Sequence, residues 1–87
     1  MDVEVQWGTE VLPGLVTDVS TVGMFIAMGN PLWVGASFTA KILLGEPIEV
    51  PCVVRRVLPG RGMGVGFENV GDKTRAQLKA FIRRISE

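Results

Sequence analysis

Residues 14–28 read G-L-V-T-D-V-S-T-V-G-M-F-I-A-M, two apolar runs around a polar centre. Gly14 to Asp18 and Met24 to Met28 are rich in Val, Ile and Phe, so they read as two strands joined by D-V-S-T-V-G. Asp18 and Ser20 carry short oxygen-bearing side chains that bond nearby backbone groups, and Gly23 can take a positive φ, which suits a tight connection. The same groups suit a ligand. A carboxylate accepts the N–H donors of a purine edge, a hydroxyl donates to a phosphate, and a glycine lets a large ring approach the backbone. Turn and ligand loop both stand open on these residues, the turn being the commoner use of such a triplet.

Working outward, the two-residue period continues. Val3, Val5 and Trp7 alternate with Glu4, Gln6 and Gly8, and Phe38, Ala40, Ile42 and Leu44 alternate with Thr39, Lys41 and Leu43. After a turn at Gly45 to Pro47, Ile48 to Leu58 is long for one strand. Pro51 there removes a ladder donor and implies an edge or a bulge. L-P-G-R-G then leads into Met63, Val65 and Phe67. The glycines around this turn do not complete G-x-G-x-x-G, because the third position is Val65 or Phe67, so they read as strand glycines that another backbone approaches closely.

From Asp72 the period changes to that of a helix. Leu78, Phe81, Ile82 and Ile85 form an apolar stripe, Asp72 is placed to cap the N-terminus after Gly71, and Arg83 and Arg84 suit the C-terminal dipole. The pattern is that of one domain over 1–87, mainly β: a six-stranded antiparallel β-barrel of strands within about 2–70, closed at one end by a helix over about 72–86.

Composition narrows the chemistry. The formal net charge is zero, yet residues 1–50 hold six acids and one base, whereas the remainder holds eight bases and three acids. Most of those bases belong to the outer side of the helix; Arg55, Arg56 and Arg61 are the candidates for an anionic ligand. With no histidine and one cysteine, neither a Zn site nor a nucleophile paired with an imidazole base is available, and an enzyme is not expected. Cys52 falls in the apolar series Ile48, Val50, Cys52, Val54 and reads as a core residue; a lone cysteine fits the cytoplasm. The opening M-D-V-E-V-Q-W has acids where a secretory leader needs bases. Val19 to Ala40 is uncharged and about as long as the roughly 20 residues that span a bilayer, but glycines, Asn30-Pro31 and hydroxyl residues break it, so no membrane insertion is expected. The basic helix lacks interleaved aromatic residues, which argues against nucleic acid as a partner.

The spacing D-x-S-x-x-G at Asp18, Ser20 and Gly23, the V-G-M-F-I strand after it, the six-strand order and the late G-M-G-V-G-F-E-N-V before a helix resemble the PilZ domain family over nearly the whole chain. The resemblance implies a bacterial receptor for the second messenger cyclic di-GMP, with Asp18, Ser20 and Gly23 meeting guanine and phosphate groups. It also implies an R-x-x-x-R segment before the first strand, and none precedes Val3 here. Arg55 and Arg56, adjacent on a strand, are expected to point to opposite faces, leaving one of them, Arg56, for a shared site. The expectation is an adaptor with weak or absent nucleotide binding, working by protein contact in a motility or type IV pilus pathway. The alternative is a receptor whose arginines come from elsewhere in the chain or from a partner. No cofactor is implied beyond cyclic di-GMP as ligand. Leu32 and Trp33, after Asn30-Pro31, are candidates for a partner surface, although a barrel plug is the commoner fate of such a pair.

Overall fold

The computed structural model describes residues 1–43 and 45–85. Its strands are β1 (Asp2–Trp7), β2 (Glu10–Val19), β3 (Gly23–Ala27), β4 (Ser37–Ile42), β5 (Ile48–Leu58) and β6 (Gly62–Phe67), followed by one helix, α1 (Asp72–Ile85). All pairings are antiparallel, in the order β1-β2-β3-β6-β5-β4, and β4 pairs back onto β1 to close the barrel. The expected architecture is therefore present. Leu44, placed in the fourth strand from sequence, and the helical position 86 lie outside the described residues.

Alternation fills the interior. Val3, Val5, Ile26, Ala40, Ile42, Val50, Val54 and Met63 are almost wholly buried and form one cluster with Leu78 and Phe81 of α1. Burying each large aliphatic side chain contributes roughly 1.5–3 kcal/mol. The helix lies over the barrel through Leu78 and Phe81, with Ile82 packed against the cluster, but Ile85 is 41 % exposed and does not complete the stripe. The stripe's last position has run past the barrel. Cys52 is buried, and its thiol donates to Val50 O at 3.5 Å. Burial pushes the thiol up to about 12, so it stays protonated.

Four local expectations change. β2 starts at Glu10, four residues before the apolar run, because Val11, Leu12 and Pro13 pair with Gln6, Val5 and Glu4. Pro51 marks neither an edge nor a bulge. It pairs with Thr39 and its carbonyl accepts from Glu68 N at 2.9 Å, just past the end of β6, where a missing N–H costs no ladder bond. Asp72 is the first helical residue and not the cap: Arg75 N donates to Gly71 O at 2.9 Å, which makes Gly71 the N-cap and leaves Asp72 to complement the dipole. Leu32, offered above as part of a surface, is 6 % exposed and packs into the core cluster.

Candidate functional site

Two irregularities shape the outer surface. The β2–β3 register shifts between Val16 and Asp18, and the β5–β6 register shifts between Val54 and Arg56. A bulge sets two residues against one on the partner strand and breaks the in-out alternation. Accordingly Thr17 and Asp18 are both exposed on β2, and Arg55 and Arg56 are both exposed on β5. The expectation that Arg55 and Arg56 face opposite ways fails here, because it assumed an unbroken strand.

Between the two bulges lie β3 and β6, whose outward positions pair as Gly23 with Gly66, Phe25 with Gly64 and Ala27 with Gly62. This face carries one large side chain, Phe25, over a row of glycines. The row makes room for neighbouring side chains as well as backbone. A Cβ at Gly66 would stand 3.0 Å from Arg55 Nε, one at Gly64 would stand 3.7 Å from Arg56 Cβ, and one at Gly62 would press on the Phe25 ring and collide with Ile26 O. The arginines therefore lie along the glycine strand, Arg55 so close to Gly66 that a side chain there would move it and Arg56 in ordinary contact with Gly64.

The result is an open cleft of about 630 Å³, with Asp18 and Ser20 on one wall, Arg55 and Arg56 on the other, and Gly23, Phe25 and Gly64 in its floor. It brings together the four residues expected at a ligand site, Asp18, Ser20, Gly23 and Arg56, and adds Arg55 and Phe25. Sequence reasoning missed Phe25 although it stands two residues after Gly23, on the same face of β3. A second hollow of about 410 Å³ continues the cleft over Thr17, Phe25, Ala27, Leu58 and Arg61.

The loop residues differ in how far the turn uses them. Ser20 serves the turn: its N–H donates to Gly23 O at 2.8 Å, its hydroxyl donates to the same oxygen at 3.3 Å, and it accepts from Val22 N at 3.3 Å. Phe67 N donates to Val22 O at 2.9 Å and ties the loop to the end of β6. Gly23 does not have a positive φ; it is glycine because a Cβ would strike Val65 O across the ladder. Asp18 is exposed, and among the described residues its carboxylate makes no hydrogen bond or ion pair; the same holds for the guanidinium groups of Arg55, Arg56 and Arg61.

Trp33 is 57 % exposed and meets Trp7, ring centroids 5.2 Å apart and planes at 88°, with Val34 also exposed beside it in sequence. Of the two residues proposed for a partner surface, Trp33 is on the outside and Leu32 is not. The Gly35–Ala36 turn after them is tied to the arginine bulge, Gly35 N donating to Val54 O at 2.8 Å and Val54 N to Ala36 O at 2.9 Å. No helix among the described residues is long and apolar enough to cross a membrane.

No curated protein matches the chain significantly. The family model for the PilZ domain matches residues 1–84, a span that takes in the barrel, the D-V-S-T-V-G loop and nearly all of α1, and the chain belongs to the PilZ domain family.

Proposed function

We propose that this chain is a non-enzymatic regulatory domain of bacterial cyclic di-GMP signalling, acting in the cytoplasm, which takes the nucleotide weakly in the cleft between Asp18 and Arg55–Arg56 and passes the signal on by protein contact. The observation that carries this reading is the convergence, over a glycine floor, of a carboxylate and two guanidinium groups that have no partner among the described residues. The carboxylate suits the N–H edge of guanine, the guanidinium groups suit phosphate, and the floor admits a flat ring. Binding is weak because both arginines are open to solvent, where each ion pair contributes about 0.2–1 kcal/mol.

Titration of 1–87 with cyclic di-GMP, followed by backbone amide NMR shifts, tests this. Saturable shifts around Asp18–Gly23 and Arg55–Arg56 are expected, lost in Asp18→Ala and in the Arg55→Gln, Arg56→Gln double variant without a change in melting temperature. A wild-type domain unmoved by millimolar nucleotide would sink the cleft as a nucleotide site. It would leave adaptor action through the exposed Trp7–Trp33 edge as the remaining reading, which that aromatic pair favours.

A further inference from the structure

The outer face of β1 and β2 carries side chains that neither the barrel core nor the cleft uses. In β2, Leu12, Gly14 and Val16 take the inner side, and a Cβ at Gly14 would already crowd the Ile26 and Val3 side chains. Val11, Pro13 and Leu15 therefore point outward, with Val11 56 % and Leu15 48 % exposed. Their partners across the ladder are Gln6, Glu4 and Asp2, so an apolar strip on β2 runs beside a polar, mostly acidic one on β1. None of these six residues lines the cleft. The corresponding outward positions of β4 hold Ser37, Thr39 and Lys41, a face that water covers without cost.

The backbone limits what can cover the strip. β2 pairs with β3 only from Leu15 onward, which leaves one edge of residues 10–14 open, but Pro13 has no N–H to offer an added strand there. The face, and not the edge, is left to be covered. Along it, outward residues recur at about 6.6–6.8 Å, close to the roughly 5.4–6 Å between successive turns of a helix. A helix can lay one turn against each.

Charge selects the helix. β1 and β2 hold four acids, Asp2, Glu4, Glu10 and Asp18, and no base, whereas α1 holds five cations and one acid. The solvent side of α1 sets Lys73, Lys79 and Arg83 around Ala76 and Ala80, all five exposed. The two alanines, one turn apart, let a neighbouring surface come close between the cations. Asp2, Glu4, Lys79 and Arg83 have no ion-pair partner among the described residues. In a chain of zero net charge, a second copy brings to the acidic strip the cations that this side of the barrel lacks.

We infer that the β1–β2 face is a self-association surface, on which the exposed side of α1 from a second copy lies along Val11, Pro13 and Leu15 with Lys79 and Arg83 toward Asp2 and Glu4. A two-fold pair makes this contact twice, each copy giving its helix and its strip, and so closes as a dimer. The pair is weak and salt-sensitive, since the patches are small and their charges solvated.

Sedimentation of 1–87, read as average mass from about 10 μM to about 1 mM, tests this. The mass is expected to rise from one chain toward two, and to fall back when ionic strength is raised from about 0.05 to about 0.5 M. Three double variants should each weaken association about tenfold while circular dichroism shows the fold kept: Val11→Ser with Leu15→Ser, Asp2→Lys with Glu4→Lys, and Lys79→Glu with Arg83→Glu. Mixing the last two should restore a one-to-one pair, because both contacts then join opposite charges. Glu46→Lys with Glu49→Lys, an equal change of charge off the strip, should associate as the wild type does and should not rescue the helix variant. If the Asp2, Glu4 variant fails to fold, the other two carry the test. A chain that stays single at about 1 mM, a dimer unmoved by the three variants, or rescue by the Glu46, Glu49 control overturns the inference. So does a dimer lost in Trp33→Ala, which would place the contact at the Trp7–Trp33 edge.

Discussion

Gly23 and Asp18 stand five residues apart and answer to different physics. Gly23 is a packing requirement, since Val65 O occupies the space where its Cβ would be. Gly23→Ala must therefore push two paired strands apart, and overpacking of this kind typically costs about 1–3 kcal/mol. A urea melt should show the midpoint falling by that amount. Asp18, exposed and without a partner among the described residues, should show no such loss when truncated. An unchanged midpoint in Gly23→Ala would mean that β3 and β6 separate freely at that end. From sequence, both residues belonged to one motif with two open readings. Ser20 is bonded within the turn and the Asp18 carboxylate makes no bond among the described residues, and no spacing rule divides them, because the division depends on which backbone groups lie within reach after folding.

At the scale of elements, the two bulges and the helix matter most. The bulges at Thr17 and Arg55 turn an alternating surface into a trough by setting pairs of adjacent side chains on one face. Nothing in V-T-D or V-R-R announces this, since a bulge is a relation between two strands. The helix was legible by period, yet only Leu78 and Phe81 are deeply buried. Phe81→Ala should cost about 3–5 kcal/mol, as large truncations in cores do, and should lower the denaturation midpoint sharply. Ile85→Ala, at an exposed position, should move it by no more than about 0.5 kcal/mol. Equal effects from the two would show that the helix docks through its whole stripe.

For the whole molecule, closure of the barrel decides what is inside and what is surface. Leu32 and Trp33 are neighbours with similar apolar character, and the chain between β3 and β4 sends the first into the core and leaves the second outside against Trp7. Leu32→Ala should cost about 2–5 kcal/mol, whereas Trp33→Ala should leave chemical stability within about 1 kcal/mol of wild type. Thermal and urea melts of the two variants check this, and a large loss from Trp33→Ala would make the aromatic pair part of the core. The two-residue period from Val3 to Phe67 and the helical stripe after Asp72 were enough to determine six strands, one helix and an antiparallel barrel, because burial of alternate residues is a local property that any sheet must satisfy. The D-x-S-x-x-G spacing picked out residues that line one side of the cleft. Arg56 was a candidate from sequence, but that Arg55 stands beside it on the opposite wall, and that Phe25 on glycines forms the floor, were decided by tertiary structure alone. They lie on β5, β3 and β6, brought together by the order β2-β3-β6-β5, and register shifts between paired strands have no counterpart in the period of any one of them.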